Sequence, residues 1–569
     1  MFLPALERLN SARQVIGEFK GYNQNLRIAD NEFSAMKNMS SAHYPIMTPR
    51  GKRKLVRTLT KANGLFAHNK LAWVDGTKFY YDGEEVVGLT LEDSKKTMLG
   101  MGAYILIFPD KIYYHTSLGT FGTLENTVTT TTDISISLVK LDGTAYENYT
   151  SSAAAPASPT DGQLWIDTSA IPHALKQYSA TNSMWNSVAT TYVKISATGI
   201  GSGFSFYDGV TISGMENDNL NGSFILYGVG DNYIIITAII DAVATQQTAA
   251  TVARTVPDLD YVTECNNRVW GCSSADHEVY ACKQGDPKNW HCFMGLSTDS
   301  FAVTIGTPGD FTGAVTHLGY VIFFKADVIH KLYGTQPKNY QLTNTMSRGV
   351  QKGSERSIVI VNETLFYKAN NDVCAYGSAL PASISDALAD YFTNAVSGAL
   401  GSKYYVCMTS NGVRKLYVYD TRLNTWHVED EINIEGFAQY DGNLYFIAND
   451  KLYSVNDSSV YTDSTAALED DVTWHADMEV GMDSPDAKYI NNLQFRIMVA
   501  QGSIVRIALQ YDNEDEWVEK YRINPTTKKS FAVHIIPRRC DTMRIRISGK
   551  GHAEIYSLTK TIQQGSDMQ

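Results

Sequence analysis

Short aromatic strands that recur in pairs around turn residues constrain the fold of this chain more than any other feature. The clearest turns are Asp75-Gly76 and Pro109-Asp110, which favour tight hairpins. The paired segments are residues 71–74 with 79–81, 104–108 with 111–114, 320–324 with 328–333, 357–361 with 365–367, and 444–448 with 451–455. Hairpins that return at about 40 residues per four-strand unit predict a β-propeller rather than a sandwich.

Two regions depart from the hairpin pattern. Residues 120–160 are rich in Thr, Ser and Ala and contain Pro156 and Pro159, which is typical of a linker. Residues 493–499 and 504–511 are longer strands, typical of a β-sandwich. The sequence therefore predicts an all-β protein with a propeller core, inserted small β domains and a terminal sandwich. The predicted ranges are an extended N-terminal arm at 1–60, first blades at 61–120, inserted modules (linker, aromatic mini-sheet and small β-barrel-like unit) at 121–256, remaining blades at 257–470 and a C-terminal β-sandwich at 471–569.

Composition limits the classes of function. The 569 residues carry a net charge of −12, and no basic surface stands out, so sequence-specific nucleic-acid binding is not expected. A protein that merely surrounds DNA is still allowed, because an acidic wall would repel phosphates and let the duplex slide. The N-terminus lacks a signal-peptide pattern and no run of about 18 apolar residues occurs, so synthesis in the cytoplasm without a membrane anchor is expected.

No catalytic motif is evident in the sequence. HExxH, GxSxG and P-loop patterns are absent, and acidic runs such as 429–431 are interpreted as solvated turns. A glycosidase needs two carboxylates about 5–10 Å apart across a cleft, and this alternative stays open. The seven cysteines are expected to be buried thiols, with a disulfide or metal site as the alternative. Asp208 and Asp218 could attract calcium but lack EF-hand spacing, so neither a metal nor a cofactor is predicted.

Basic and aromatic residues supply the candidate contacts. The candidate inter-subunit or DNA contacts are Arg50, Lys52, Arg53, Lys54, Arg57, Arg538 and Arg539, with solvated strand flanks or ion pairs within the fold as the alternative. Trp165 and Trp185 could be exposed for sugar or partner binding, although core packing is favoured.

The N-terminal arm has a composition that buries little by itself. Residues 19–57 are punctuated by prolines and become basic near their end. Order is expected only if the arm crosses onto another blade or another subunit. Arg50, Lys52 and Arg53 would then form exposed pairs, so reversing them should weaken assembly while the protomer melts almost as before.

Three motifs carry a resemblance to a known family. They are residues 19–23 with 38–39, 44–45 and 49–50; Asn267-Arg268-Val269-Trp270-Gly271 with residues 285–290; and residues 536–541 with 544–549 and 564–566. In this order they resemble the tail stabilisation or nozzle (tail tubular protein B-like) structural proteins of tailed phages.

The resemblance implies a non-enzymatic virion protein of the tail or neck. Family members would form a homo-oligomeric ring, expected to have six copies, around the DNA exit channel. Such a ring would retain packaged DNA, join the portal and adaptor proteins to distal tail proteins or fibres, and touch the genome only passively. Two alternatives stay open: a receptor- or glycan-binding propeller at the tail tip, and a hydrolase with a cleft at one end of the propeller.

Overall fold

A computed structural model describes residues 11–482, 487–512, 514–524 and 526–564. The chain divides into two compact units. Unit 1 comprises Met1–Met98, Phe324–Ile329 and Asn344–Gln569, and unit 2 comprises Leu99–Phe323 and His330–Thr343. The described residues contain strands and four 3-10 helices, and no helix among them has the length and apolarity of a membrane span. The 3-10 helices are Asp218–Leu220, Pro337–Asn339, Glu355–Ser357 and Asp386–Leu388.

The N-terminal residues supply strands to three sheets of unit 1. These strands are β1 (Ser11–Ile16), β2 (Ala35–Lys37), β3 (Met39–Ser40), β4 (Thr48–Pro49) and β5 (Lys54–Thr58). Strands β3 and β4 pair with each other, whereas β1, β2 and β5 each join strands from the C-terminal half of the chain. The N-terminal residues therefore do not form a sheet of their own beyond one short hairpin.

The first two blades are four-stranded meanders in which each strand pairs with the next. The first consists of β6 (Ala62–His68), β7 (Lys70–Asp75), β8 (Lys78–Tyr81) and β9 (Glu84–Thr90). The second consists of β10 (Thr97–Met101), β11 (Tyr104–Phe108), β12 (Ile112–His115) and β13 (Thr120–Thr123).

The residues that follow the second blade form two other sheets. An eight-stranded sheet contains β14 (Asn126–Thr129), β15 (Ile134–Val139), β20 (Tyr192–Ser196), β21 (Gly209–Ser213), β22 (Gly222–Gly230), β23 (Tyr233–Thr237), β24 (Ala244–Gln246) and β25 (Thr251–Arg254). A four-stranded sheet contains β16 (Tyr149–Ser152), β17 (Leu164–Asp167), β18 (Ala174–Ser179) and β19 (Met184–Ser187). Buried residues of both sheets, such as Ile166 and Val193, share one hydrophobic core.

Five further meanders continue the blade pattern. They are β26 (Tyr261–Glu264), β27 (Val269–Ser273), β28 (Glu278–Ala281) and β29 (Phe301–Thr304); β30 (Phe311–His317), β31 (Tyr320–Lys325), β32 (Val328–Tyr333) and β33 (Gln341–Met346); β34 (Val359–Val361), β35 (Thr364–Lys368), β36 (Val373–Tyr376) and β37 (Ala382–Ser383); β38 (Thr393–Leu400), β39 (Lys403–Ser410), β40 (Val413–Asp420) and β41 (Thr425–Val428); and β42 (Ile434–Tyr440), β43 (Asn443–Ala448) and β44 (Lys451–Ser454) with β45 (Ala467–Leu468).

The turn chemistry explains why these strands pair as hairpins. Asp441 and Gly442 join β42 to β43 with φ angles of 48° and 69°, the positive values that a two-residue type I′ turn requires. Strands β31 and β43 are buried on both faces, because each lies between neighbouring strands and neighbouring sheets. The aromatic runs seen in the sequence are therefore the inner strands of blades.

Within unit 1, the last blade is closed by an N-terminal strand. Strand β5 pairs with β44, so the last sheet has the order β42-β43-β44-β5-β45. Leu452 of this sheet shares a core with Trp73 of the first blade. A strand from the opposite end of the chain thus closes the last sheet. Loss of this non-local pairing would separate the two ends of the chain.

The C-terminal residues form a sandwich of two five-stranded sheets in unit 1. Its own strands are β46 (Thr473–Val480), β47 (Lys488–Val499), β48 (Ile504–Tyr511), β49 (Val518–Ile523), β50 (Lys529–Val533), β51 (Arg539–Cys540), β52 (Met543–Lys550) and β53 (Ala553–Gln564). Strand β1 pairs with β53, and strand β2 pairs with β46. Alternate residues of β47 are buried, as expected for strands with one face in a core.

The predicted fold class is confirmed: the protein is all-β, with a propeller core, additional small β sheets and a terminal sandwich. Residues 120–160 are not a linker as predicted, because they contain strands β14, β15 and β16, and the structure adds two details to the predicted ranges. Residues 54–58, assigned to the arm, form the closing strand β5, and the predicted sandwich takes one strand in each sheet from the arm. The motif residues 565–566 lie outside the described residues. Both details depend on strands that pair across nearly 400 residues of the chain or more. A local sequence pattern does not reveal such pairing.

Candidate functional site

The N-terminal arm, defined here as residues 11–53, is built into the core of unit 1. Phe33, Met36 and Met39 are buried in the same hydrophobic core as Trp426 of strand β41 and Trp474 of strand β46. The arm is therefore wedged between a propeller blade and the sandwich of its own chain. The arm thus lies on a blade, one of its two expected destinations, and contact with another subunit stays a prediction.

A glycine allows the arm to approach the blade closely. The amide of Tyr22 donates a hydrogen bond of 2.6 Å to the carbonyl oxygen of Trp426. A Cβ atom on Gly21 would lie 2.2 Å from that same oxygen, far inside contact distance. Residue 21 must therefore be glycine for the arm to dock in this register.

Two arginines of the arm lie in a buried cluster of charges, called the arm cluster, that contains Arg50, Arg53, Glu429, Asp430 and Glu469. Arg50 donates from both terminal nitrogens to Glu469, each at 2.7 Å. Arg53 donates to Glu429 at 2.6 Å and to Asp430 at 2.8 Å. Both arginine side chains are only 5% exposed. The arm cluster thus joins the arm to the end of strand β41 and to the segment that leads into the sandwich.

The arm cluster holds two of its carboxylates, Asp430 and Glu469, in the charged form. Burial opposes ionisation of Asp430, but the charge and hydrogen bonds of Arg53 outweigh it and hold the pKa below its ordinary value. Burial likewise opposes ionisation of Glu469, while Arg50 lowers that pKa by a hydrogen bond and by its charge. Burial is also the largest influence on Arg53, yet Glu429 and Asp430 raise the pKa of its guanidinium. These ion pairs therefore persist over the neutral pH range.

This geometry corrects two expectations from the sequence. Glu429 is buried rather than a solvated turn residue, and Arg50 and Arg53 are buried, so the premise that these arginines form exposed pairs is wrong. The acidic run 429–431 follows directly on the buried strand Thr425–Val428, and that adjacency was the available clue. Sequence alone could not pair residues about 380 positions apart.

The other basic residues of the arm region are more accessible. Lys52 is 37% exposed and pairs with Asp471 at 2.8 Å. Arg57 pairs with Asp463 at 3.2 Å and lies over the Trp73 ring. Lys54 is half-buried in strand β5. For these three, contact with another subunit or with DNA stays a prediction.

Arg538 and Arg539 lie on the surface of the sandwich, beside the exposed Ile536. Arg538 pairs with Glu514 at 2.7 Å and lies over the Tyr511 ring. Arg539 is exposed, and its side chain makes no ion pair with the described residues. Arg538 therefore forms an ion pair within the fold, and for Arg539 a contact with another molecule stays a prediction.

A cavity of about 240 Å³, called the arm cavity, opens between the arm and the blades of unit 1. It is lined by Gly21, Tyr22, Asn23, Glu32, Ser383, Ile384, Asp386, Ala387, Tyr419, Asn424, Thr425 and Trp426. Asn23 donates to Glu32 at 3.0 Å, and Ser383 donates to Asp386 at 2.7 Å. Burial raises the pKa of Tyr22 to about 12, with a further contribution from Asp390, so its hydroxyl stays protonated.

The remaining candidates from the sequence pack inside the fold. Trp165 is buried and Trp185 is half-buried, with ring centroids 5.3 Å apart, as the packing alternative predicted. All seven cysteines are buried free thiols. Asp208 is buried and paired with Arg254, so its carboxylate already has a cation partner. Among the described residues, no group of three or more His, Cys, Asp or Glu side chains is arranged to hold a metal ion.

Comparison with known proteins gives little beyond the fold. No family model and no curated protein matches the sequence. Similar solved structures include an exo-β-1,3-galactanase from Phanerochaete chrysosporium (8% identity, 52% of this chain and 94% of that chain, TM-score 0.22).

They also include Hsv2 of Kluyveromyces marxianus (9% identity, 55% and 90%, TM-score 0.24) and the endosialidase of phage phi92 (8% identity, 73% and 70%, TM-score 0.23). TM-scores this low carry no argument about activity, so the propeller assignment depends on the order and pairing of the sheets themselves.

Proposed function

We propose that this chain is a structural, non-enzymatic protein of a phage tail, and that it acts as a ring-forming nozzle around the DNA exit channel. The observation that supports this is the arm: 43 residues, 11–53, serve to fasten a propeller blade to the terminal sandwich. Apolar burial and the arm cluster both contribute to that fastening. A body reinforced in this way suits a part that must withstand the pressure of packaged DNA.

The distribution of charge is consistent with a wall beside DNA. Of 48 basic and 60 acidic side chains, residues 471–569 hold 13 of each, so residues 1–470 carry the whole net charge of −12. An acidic propeller would repel phosphates and allow a duplex to slide. The neutral sandwich, with exposed Arg538 and Arg539, is the better surface for docking adaptor or tail proteins.

Electron microscopy of the purified protein tests the nozzle directly. Negative-stain images should contain rings, expected to have six copies, with a lumen wide enough for duplex DNA. The rings should co-sediment with tail-less particles that carry portal and adaptor. A protein that stays monomeric at high concentration, and that does not bind such particles, would contradict the proposal.

A second candidate function is recognition of a glycan at the tail tip, and the arm cavity is the observation that favours it. Its lining combines carboxylates and amides, the side chains that hold sugars by hydrogen bonds. A glycan array probed with the full chain distinguishes the two candidates, since a nozzle has no need to bind sugars.

A further inference from the structure

The arm cavity offers hydrogen-bonding groups that the protein itself does not use. Within the described residues, Glu32 accepts hydrogen bonds at Oε2 from Asn23 and from the Ala29 amide, and nothing donates to its Oε1. Asp386 accepts at Oδ1 from Ser383, again with its second oxygen unused within the described part of the chain. The cavity is thus lined by two carboxylates that each have one oxygen available to a ligand.

The aromatic residues and amides complete the lining. Tyr419 and Trp426 pack with ring centroids 5.0 Å apart, and Tyr419 donates to Oδ1 of the exposed Asn424 at 3.0 Å. The side-chain nitrogen Nδ2 of Asn424 makes no hydrogen bond with the described residues and can donate to a ligand oxygen. Tyr22, held protonated, adds a neutral hydroxyl. Donors and acceptors therefore meet in one place, beside the almost fully buried rings of Tyr419 and Trp426.

Size and charge select the ligand class. A cavity of about 240 Å³ is smaller than the roughly 300–1,000 Å³ of sites for drug-sized ligands, so one ring-sized group fits. None of the lining residues is cationic, while Glu32 and Asp386 are acidic. Anionic ligands such as sialic or uronic acids would meet two uncompensated negative charges.

We infer that the arm cavity binds one uncharged pyranose ring, with Glu32 and Asp386 accepting hydrogen bonds from its hydroxyls and Asn424 donating to a ring or hydroxyl oxygen. This inference rests on the second candidate function, glycan recognition, and specifies its site and ligand class. The site is formed by the arm and the blades together, so it exists only while the arm is docked.

The test is ligand-observed NMR and calorimetry on the full-length protein with methyl glycosides of glucose, galactose and mannose, and with glucuronate and N-acetylneuraminate as anionic probes. At least one neutral glycoside should bind in the millimolar range, and the anionic probes should bind at least tenfold more weakly. Asp386→Ala should weaken neutral binding by about tenfold or more, because a hydrogen bond to a charged group is lost. Asp457→Ala, at an exposed turn of the same unit, is the matched control and should bind normally.

Each of the other outcomes would overturn a named part of this inference. Neutral binding that survives both Asp386→Ala and Glu32→Gln would put the sugar site elsewhere and leave glycan recognition standing. Binding of anionic glycans alone would refute the ligand class. Calcium binding that displaces the sugar would make the cavity a cation site, and no binding of any glycan would remove both the inference and the second candidate. Glu32→Gln also serves if Asp386→Ala fails to fold, since the unfolding temperature of each variant is measured first.

Discussion

The N-terminal arm and the segment between the second and third blades obtain their order in different ways. The arm has no core of its own, and its methionines and phenylalanines are buried against strands hundreds of residues away. The segment from Asn126 to Arg254 instead assembles twenty buried residues into a separate core. Its two ends meet, because Asn126 pairs with Arg254 across strands β14 and β25.

This difference predicts different sensitivities. A segment without its own core depends on a few anchoring contacts, so single substitutions in the arm should have large effects on unit 1. A segment with its own core distributes its stability over many contacts, so its removal should leave the remaining blades of unit 2 nearly unchanged. Substitutions in the arm and deletion of the segment test this difference.

The largest effect is expected from the arm cluster. Arg53→Ala leaves Glu429 and Asp430 buried with one cation fewer, and breaking a buried pair in this way costs about 3–5 kcal/mol of the free energy of unfolding. Denaturant titration of unit 1 measures it. Lys52→Ala is the matched control, since its exposed pair with Asp471 should contribute only about 0–1 kcal/mol. Equal losses of unfolding free energy for the two substitutions would contradict the claim that the arm cluster is buried.

Close docking of the arm should make Gly21 the next most sensitive position. Gly21→Ala forces a Cβ into the Trp426 carbonyl, and overpacking of this kind costs about 1–3 kcal/mol. Hydrogen exchange should then report loss of protection at the Tyr22 amide. Gly17→Ala is the control, because no atom lies within 4 Å of the Cβ position there, and it should leave exchange unchanged.

Acid should loosen the arm before it affects other contacts, because His427 is buried beneath it. Burial lowers the pKa of His427 to about 3, with help from Lys403. The unfolded state therefore binds an extra proton between about pH 6.5 and pH 3, and stability falls as pH falls through this range. From pH 7.5 to pH 5 the loss should be about 2 kcal/mol. His427→Leu should remove this slope in a pH series of unfolding temperatures, and an unchanged slope would exclude His427 as its source.

The smallest effect is expected from deleting the second region. Replacing residues 126–254 by a short Gly/Ser bridge should leave the blades folded, including those of unit 2, since the ends to be joined are already paired. A modest loss of protection should be confined to residues 289–292, where Asn289 donates to the carbonyl of Tyr207 at 2.8 Å. Circular dichroism and hydrogen exchange check both points. A deletion that unfolds the remaining blades of unit 2 would show that the contrast between the regions is wrong.

Local pattern predicted much of this fold, and its failures have a common cause. The Asp-Gly turns and aromatic runs gave the blades because hairpins are set by neighbouring residues, as at Asp441 and Gly442. Strand β5 could not be assigned to the last blade, because its partner β44 is nearly 400 residues away. The basic run at residues 50–57 was recognised, but whether Arg50 and Arg53 meet solvent or Glu429 and Glu469 depends on the same long-range pairing.

The arm cavity was not predictable for a similar reason. Glu32, Asp386 and Asn424 belong to three segments, each of which alone is an ordinary turn or loop. They meet only because Gly21 lets the arm dock on strand β41. No local spacing rule connects residues from three such distant segments.

Zero-length crosslinking of isotope-mixed protein tests most directly whether the arm fastens its own chain. Equal amounts of 15N-labelled and unlabelled protomers are assembled together and treated with a carbodiimide, which should join Lys52 to Asp471, 2.8 Å apart. Mass spectrometry of the crosslinked peptide should give all-light and all-heavy pairs. Mixed light–heavy pairs at about half of the total, the statistical share for exchange between two equal pools, would show that the arm crosses to a neighbouring copy and would contradict fastening within one chain.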